Sequence, residues 1–435
     1  MHLKFKFPLL SLLLVSICLL SGCVRDTCEQ ETTYTKLTPV FVNMNEVRAA
    51  PIRLEEPREL EFPGKLYIYG DLLLINERNE GVHFINNSDP SAPDNFGFLE
   101  VGGNTDFVIR NNVLFLNQYT DLIGLDISNP QQIQLVNRTE DVTRALETNR
   151  DGEIASFYHA AVVTEILDCN ARQRIDRWGG WGCWNCEFLA QSDVAFDANF
   201  ASGDVSNIPS VGTGTGGSMA RFTLFQDHLY TVDQTTLKAY TFSGDQPSLG
   251  SETQLWWGIE TIIPYGDHLF IGSQSGMFIF EASNPAEPTQ VSVFQHARAC
   301  DPVYVNGDRA YVTLRDGTPC DGFINQLDVV NISNIENPTL SKTFPMEHPH
   351  GLGILDETLY LCEGDFGLKA FDITDPLQLD KNQLMHLENF NAYDVIPLGG
   401  EVPTLLVIGD DGFVQLDITD PEAPVTLSTI PVKRN

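Results

Sequence analysis

The sequence predicts an all-β fold, a seven-bladed β-propeller of four-stranded blades with one long Cys/Trp-rich insertion. Three regularities lead to this prediction. A turn motif ending in proline recurs along the chain, short alternating apolar runs precede each copy, and the copies keep a nearly constant spacing. Alternating apolar and polar residues are typical of half-buried strands, because successive side chains of a strand point to opposite faces.

The turn motif has the form Ser/Thr-Asp/Asn-Pro. Its residues favour turns, and its proline cannot donate a backbone hydrogen bond to a sheet. Successive prolines are 40, 117, 38, 53, 38 and 45 residues apart, so the long spacing holds one unit plus an insertion, which we place at 143–217, between blades 2 and 3. The copies, two of them imperfect, are Ser88-Asp89-Pro90, Ser128-Asn129-Pro130, Gly244-Asp245-Gln246-Pro247, Ser283-Asn284-Pro285, Glu336-Asn337-Pro338, Thr374-Asp375-Pro376 and Thr419-Asp420-Pro421.

Each unit contains four apolar runs, which in the last unit read YDVIPLG, TLLVIG, GFVQLDIT and PVTLSTIPV. Short turns such as Gly-Asp and Asn-Asn separate the first two runs in several units, as they do in β-hairpins. Four strands in a unit of about 40–45 residues are typical of a propeller blade. The alternative, a β-solenoid, normally has shorter repeats.

The best-preserved units, GLKAFDITDP and GFVQLDITDPEAP, resemble the LVIVD-repeat family of bacterial β-propellers. The resemblance extends over roughly residues 65–432, apart from the insertion. It implies the propeller fold and leaves the function open, because one fold carries many unrelated activities.

The N-terminus has the features of a signal peptide. Lys4 and Lys6 precede an apolar run, Leu9–Leu20, that is too short to span a bilayer comfortably. The residues that follow, Leu20-Ser21-Gly22-Cys23, resemble the lipobox of bacterial lipoproteins. That resemblance implies cleavage after residue 22 and acylation of Cys23, and several acyl chains anchor a protein firmly.

We therefore predict a lipoprotein signal peptide at 1–22, an anchor and linker at 23–64, and the propeller at 65–435. A plain secretory cleavage at a nearby site is the alternative. Val24 differs from the aspartate that retains lipoproteins in the inner membrane, so the resemblance implies an outer-membrane lipoprotein. It leaves open whether the protein faces the periplasm or the cell surface.

The 435 residues include 26 basic and 59 acidic ones, which gives a formal net charge of −33. This charge argues against a nucleic-acid partner, because phosphate binding needs a basic surface. It also argues against docking on anionic lipid through a polybasic patch. We predict that the lipid anchor alone reaches the membrane and that the partner is a protein or a glycan.

Ligands of propellers usually bind at the rim where the innermost strands begin, over the central channel. The residues at this rim form either a solvated edge or a polar cup of mixed charge that holds a small polar ligand or a cation. Alignment of the first strands nominates Lys65, Asp106, Arg221, Glu260, Asp301, His350 and Asp394, with Arg298, His348 and Tyr393 beside them.

His348 and His350 allow a second interpretation. Two residues apart on an extended strand, they point the same way, and with Asp301 they could hold zinc or another transition ion. The alternative is that Pro349 and Gly351 simply make a tight entry to a strand. Because nothing else completes a ligand set, we predict no metal and no cofactor.

Seven cysteines remain once Cys18 in the signal peptide and Cys23 are set aside. Export places them in an oxidising compartment, where disulfides persist. Cys362 lies in an apolar run and is expected to be a buried thiol. We predict a disulfide between Cys300 and Cys320, which flank the first two strands of unit five and reach the same rim; it would stabilise by about 3 kcal/mol. Other pairings stay open among Cys28, Cys169, Cys183 and Cys186.

The insertion contains three tryptophans within seven residues, Trp178, Trp181 and Trp184. They form either a small disulfide-stapled core or an exposed aromatic platform for sugar or peptide. A single Cys-x-x-Cys is a weak predictor of zinc, and the compartment favours disulfides over a set completed by Cys169 and His159. Gly212–Gly217 has a Gly-x-Gly-x-x-Gly spacing but no strand before it and no helix after it, so we interpret it as a flexible linker.

The leading functional prediction is a lipid-anchored binding module of the cell envelope. Its rim and its tryptophan-rich insertion would surround one site for an envelope or extracellular partner. The alternative is an envelope hydrolase or lyase that acts on glycan or peptide at the rim, and a purely structural support is a third hypothesis. An enzyme needs a deep cup with a matched acid and base, whereas a binder has a shallow or aromatic rim.

Overall fold

The computed structural model describes residues 29–168, 214–218, 220–255, 258–296, 302–315, 325–388 and 390–433. The chain divides into two compact units, one made of Met1–Leu37 and Ala160–Cys186, the other of Thr38–His159 and Glu187–Asn435. The second unit contains the repeated sheets. Among the described residues, no helix is long and apolar enough to cross a bilayer.

The N-terminal elements are β1 (Glu29–Val42), α1 (Met44–Ala49) and β2 (Leu54–Glu55). Asn43 caps α1 by accepting a hydrogen bond from the backbone N–H of Asn45, a role for which asparagine is well suited.

The first two blades follow. Blade 1 consists of β3 (Pro63–Tyr69), β4 (Leu72–Glu77), β5 (Gly81–Asn86) and β6 (Asp94–Glu100). Blade 2 consists of β7 (Phe107–Arg110), β8 (Val113–Gln118), β9 (Asp121–Asp126) and β10 (Gln134–Thr139), with a short 3-10 turn at Pro130–Gln132. Between blades 2 and 3 lie β11 (Glu147–Thr148), β12 (Ile154–Asp168) and β13 (Thr215–Gly216).

Five further blades complete the series. Blade 3 has β14 (Phe222–Phe225), β15 (His228–Val232), β16 (Thr236–Ser243) and β17 (Gln246–Gln254). Blade 4 has β18 (Ile259–Tyr265), β19 (His268–Ser273), β20 (Gly276–Glu281) and β21 (Thr289–Gln295). Blade 5 has β22 (Val303–Asn306), β23 (Arg309–Leu314), β24 (Gln326–Asn331) and β25 (Thr339–Pro345). Blade 6 has β26 (Leu352–Leu355), β27 (Thr358–Cys362), β28 (Leu368–Asp372) and β29 (Gln383–Leu387), and blade 7 has β30 (Asp394–Leu398), β31 (Thr404–Gly409), β32 (Gly412–Asp417) and β33 (Val425–Pro431).

Each blade is an antiparallel meander whose strands are in sequence order, so the predicted seven-bladed propeller is confirmed. The first strands of neighbouring blades contact one another, as β14 does with β7 and β18, and therefore line the centre. The tight turns after them place Gly70, Gly266 and Gly307 at positive φ, which glycine adopts without strain. The second strands are buried along almost their whole length because neighbouring blades cover both faces.

All seven blades share a feature that the repeat pattern alone did not reveal. A β-bulge interrupts the pairing of the third and fourth strands, for example between Ile279 and Phe280 in blade 4 and between Gln415 and Leu416 in blade 7. A bulge bends the strand and increases its twist. The bulge therefore bends and twists the outer strand at the same place in every blade.

Residues 54–62, here called the strap, join the first blade to the last. β2 pairs with β6 as an extra outer strand, and Leu60 forms a parallel bridge with Val432 beyond β33. The carbonyl of Leu60 accepts a hydrogen bond from the backbone N–H of Lys433, 2.7 Å away. Because every blade is formed by one continuous stretch of chain, no blade contains strands from both ends of the repeat. The contacts of the strap therefore join the last blade to the first and close the ring.

Candidate functional site

The candidate site lies where the first strands begin, around the central channel. Lys65 is in β3, Asp394 opens β30, and His350 stands two residues before β26. Asp106 and Arg221 immediately precede β7 and β14. The first strands therefore bring these predicted residues to the same end of the channel.

A buried ion pair joins the first blades. The ammonium group of Lys65 donates a hydrogen bond to Asp106, and both side chains are 3% exposed. The other carboxylate oxygen of Asp106 accepts from the backbone N–H groups of Arg221 and Phe222, at 2.6 and 2.9 Å. Burial lowers the pKa of Lys65, although the charges of Asp106 and Asp394 oppose that effect. Asp106 thus fixes blades 1, 2 and 3 to each other.

Asp394 is completely buried at the start of the first strand of blade 7, which adjoins blade 1 in the ring. Its Oδ1 atom accepts a hydrogen bond from the hydroxyl of Ser218 at 3.3 Å, and its Oδ2 atom has no hydrogen-bond partner. Burial raises the pKa of Asp394 well above its ordinary value, more than the Val395 N–H, Ser218 and Lys65 lower it. Residue 351 must be glycine, because a Cβ atom there would overlap Oδ1 of Asp394.

The end of the insertion lies inside this ring of residues. β13 pairs with the inner edge of β3, and the N–H of Gly214 donates to the hydroxyl of Tyr67 at 3.2 Å. Ser218 accepts a hydrogen bond from the N–H of Leu352 at 3.0 Å, and the carbonyl of Ala220 accepts from blade 4. Residues 214–218 and 220 therefore touch blades 1, 4, 6 and 7.

The glycines of this segment permit that close approach. A Cβ atom at residue 214 would overlap the ring of Tyr67 and the carbonyl of Ile68. The sequence predicted a flexible linker at Gly212–Gly217, whereas its described part is a packed strand in the channel. The reason is that glycine suits a strand approached closely by another backbone as well as it suits a flexible loop.

A directional chain of hydrogen bonds runs through blades 5 and 6. Nη1 of Arg315 lies 2.6 Å from Nδ1 of His350, and Nε2 of His350 lies 3.1 Å from Nδ1 of His348. A guanidinium group can only donate, so Nδ1 of His350 accepts and the ring proton sits on Nε2. His350 then donates to His348, whose own ring proton occupies Nε2.

The buried members of the chain have shifted pKa values. Burial lowers the pKa of His350 well below its ordinary value, and the neighbouring charge of Arg315 lowers it further. Burial also lowers the pKa of Arg315 to about 9. His350 therefore stays neutral. Half-buried His348 is the last member of this series of hydrogen bonds and lies at the mouth of the channel.

Polar loops of blades 6 and 7 meet at this mouth. The ring of Tyr393 lies 5.0 Å from that of His350, and its hydroxyl donates to Asp410. Burial raises the pKa of Tyr393, and the hydrogen bond to Asp410 and the charge of Asp410 raise it further. Asn391 donates to Asp365 at 2.7 Å and accepts from the N–H of Asp410 at 2.7 Å. The mouth is thus polar and carries both donors and acceptors.

The structure brings together some of the predicted residues. Lys65, Asp106 and the backbone of Arg221 form one group, and His348 and His350 form another, next to Asp394. Glu260 accepts a hydrogen bond from Gln274 of its own blade. Cys362 is a buried thiol, as the sequence predicted. Outside the described residues lie Asp301, Arg298, Trp178, Trp181, Trp184, Cys23, Cys28, Cys169, Cys183, Cys186, Cys300 and Cys320.

Two residues of the site escaped the sequence analysis. Arg315 follows the buried run RAYVTL, and an arginine at the end of such a strand is a signal that could have found it. Ser218 sits in a polar loop of common composition, and nothing in the sequence distinguishes it.

Comparisons with known proteins agree with the fold. The sequence matches no family model and no curated protein. Among solved structures, the periplasmic gluconolactonase of Pseudomonas aeruginosa is 10% identical and matches with a TM-score of 0.51 over 85% of this chain and 96% of that chain. A Bacteroides fragilis protein assigned as a 6-phosphogluconolactonase is 8% identical, with a TM-score of 0.52 over 87% of this chain and 98% of that chain. BamB from Moraxella catarrhalis is 10% identical, with a TM-score of 0.44 over 84% and 97%. The structural matches to the two lactonase-like proteins support the β-propeller fold and show nothing about activity.

Proposed function

We propose that this chain is a non-catalytic binding module of the cell envelope, a member of the LVIVD-repeat propellers that is tethered through a lipid on Cys23. The mouth of its channel would recognise an envelope or extracellular partner. The repeat units and the lipobox support the family and the tether, and the structure of the channel supports binding over catalysis.

One observation carries the preference for binding. Among the described residues of the channel, Lys65 and Asp106 are used for internal bonds, because Asp106 holds Lys65 and two backbone N–H groups, while Ser218 bridges Leu352 and Asp394. Residues 214–218 occupy the space beside β3 where a deep cup would begin. A partner at the mouth would meet the half-buried His348 and the exposed Asp410.

The test is capture of partners by the mature protein without its lipid. The purified protein would be incubated with an envelope extract, and retained proteins and glycans identified by mass spectrometry. We expect that His348→Ala and Asp410→Ala each weaken the recovered interaction at least tenfold. Asp71→Ala, at an exposed hairpin turn on the opposite rim, serves as the control. Equal capture by all variants, or capture of nothing, would contradict the proposal.

The alternative, an envelope hydrolase or lyase, is favoured by the chain from Arg315 through His350 to His348. Such a chain fixes a histidine tautomer, as catalytic sites require. The same preparation distinguishes the two functions. Turnover of envelope glycan or peptide that is lost in His348→Ala would establish the enzyme and exclude the non-catalytic module.

A further inference from the structure

A second surface, separate from the channel, lies between blades 6 and 7. A pocket of about 410 Å³ opens there, in the size range of ligand-binding clefts. Its walls include Leu387 and Phe390 on the side of blade 6 and Val414 and Leu416 on the side of blade 7. We call these four residues and the space between them the groove.

The groove exists because blade 6 has a short outer strand. β29 has five residues, whereas the outer strands β21, β25 and β33 have seven each. The shorter strand leaves part of the adjacent face of blade 7 uncovered. Val414 and Leu416, on the third strand of blade 7, are directed to that uncovered side and line the pocket.

Three other blade boundaries, 4–5, 5–6 and 7–1, are closed by a polar side chain that the 6–7 boundary lacks. Ser292, Lys342 and Ser428 occupy equivalent positions beside the bulges of β21, β25 and β33. Each donates to a carbonyl in the turn of the next blade, at 2.6, 2.7 and 2.6 Å. In β29 the same register position, opposite Ala370, is Met385, which has no hydrogen to donate.

The outer edge of β29 is also free to pair. It is the last strand of its sheet among the described residues, so its outward backbone groups have no strand beside them. The chain itself uses such an edge on blade 1. There β2 pairs with β6, and the side chain of Leu54 fills the notch that Gly97 leaves. An added strand with an apolar residue therefore suits an outer edge of this propeller.

Charge limits the kind of partner. The chain has a net charge of −33, and Glu388, at one end of the groove, has a side chain that is 75% exposed. A partner segment with basic residues around its apolar ones would be attracted, and an acidic segment would be repelled. An exposed phenylalanine, Phe366, lies nearby, since its carbonyl is 2.7 Å from Nε2 of His386 in the pocket wall.

We propose that the groove between blades 6 and 7 binds an extended apolar segment of a partner protein that is flanked by basic residues. The segment adds to the edge of β29 as a further strand and places alternate apolar side chains between Phe390 and Val414. Strand addition supplies affinity through main-chain hydrogen bonds and specificity through the pockets for side chains. This surface goes beyond the binding proposed at the channel mouth and does not depend on it.

The experiment uses the mature protein and two labelled synthetic peptides. Both contain a short stretch of alternating valine and threonine; one is flanked by lysines and the other by glutamates. We expect fluorescence anisotropy to show at least tenfold tighter binding of the lysine peptide, with a preference that shrinks as salt is added. Hydrogen exchange should slow at Gln383–Leu387 when this peptide is bound.

Variants locate the binding. Val414→Asp and Thr429→Arg should each weaken the lysine peptide at least tenfold, the second through a surface residue that folding tolerates. Val425→Asp, on the same blade but outside the pocket wall, is the matched control and should bind normally. Absence of binding, or equal binding by all variants, overturns the proposal. So does a dimer that Val414→Asp dissociates, which would assign the groove to a second copy, or displacement of the peptide by dodecanoate, which would assign it to a small apolar ligand.

Discussion

At the scale of single residues, the buried carboxyl of Asp394 makes the stability of the propeller depend on pH. The folded state raises the pKa of this carboxyl because burial disfavours its charge. The folded chain therefore holds the proton more tightly than the unfolded chain does. The resulting stability is fully present below the unfolded pKa of about 3.9 and is lost as pH rises towards the folded pKa.

We predict that Asp394→Asn makes the protein more stable at pH 7 than the wild type. The amide is neutral at every pH, and its oxygen can still accept the hydrogen bond from Ser218. The gain should be roughly 1–4 kcal/mol, because holding the proton on a buried carboxyl costs about 1.4 kcal/mol for each pH unit above its unfolded pKa, a cost that the neutral amide avoids. It should vanish near pH 4, where both side chains are neutral. Urea unfolding at a series of pH values measures both quantities.

Asp372→Asn provides a control of opposite sign. Hydrogen bonds from the side chain and backbone of Thr374 lower the pKa of exposed Asp372. Its contribution is present above the unfolded pKa and is lost as pH falls, so this variant should lose stability at pH 7. If both variants change stability in the same direction, burial of Asp394 is not the cause.

At the scale of elements, the strap closes the ring. Leu60 is fully buried against blades 1 and 7, and the carboxylate of Glu77 accepts hydrogen bonds from the N–H groups of Glu61 and Phe62. His83 lies 2.9 Å from the same carboxylate. The contacts with Glu77 fix the strap to blade 1, and the bridge between Leu60 and Val432 joins the strap to the end of the last blade.

We predict that Leu60→Ala lowers the free energy of unfolding by about 2–5 kcal/mol, the usual cost of deleting a buried leucine side chain. Hydrogen exchange should also accelerate at Val425–Pro431, because the Leu60 bridge holds the end of β33. Leu340→Ala, at a half-exposed position of β25, should change the stability by less than about 0.5 kcal/mol. Equal losses in both variants would mean that the strap adds nothing specific to closure.

The sequence predicted those elements that have a repeating pattern. Strands such as β16 and β33 alternate apolar with polar residues, and the Asp/Asn-Pro turns lie beside them. β2 and β13 have two residues each, too few for any periodicity, and form only because another strand offers a free edge. The bulges are equally invisible, since one extra residue in an outer strand resembles ordinary variation in length.

At the scale of the whole molecule, the repeat predicted where the candidate site would be but not how its groups are bonded. Aligning the blades brought Lys65, Asp106, His350 and Asp394 to one end of the channel, because corresponding positions of a propeller meet there. The ion pair of Lys65 with Asp106 and the position of Ser218 depend on which blades adjoin and on where the insertion returns. A pattern within one blade contains no information about either.

The proposed tether of the whole molecule depends on one cysteine. The first 23 residues contain two cysteines, Cys18 and Cys23, and only the second follows the Leu-Ser-Gly of a lipobox. We predict that the wild type and Cys18→Ser incorporate labelled palmitate and float with membranes, whereas Cys23→Ser remains unlabelled at the size of the precursor. Both substitutions replace a cysteine near the N-terminus with serine, so a general effect on export would appear in both variants. If Cys23→Ser is still acylated and anchored, the lipobox hypothesis fails, and the secretory alternative predicts instead that it is processed and released.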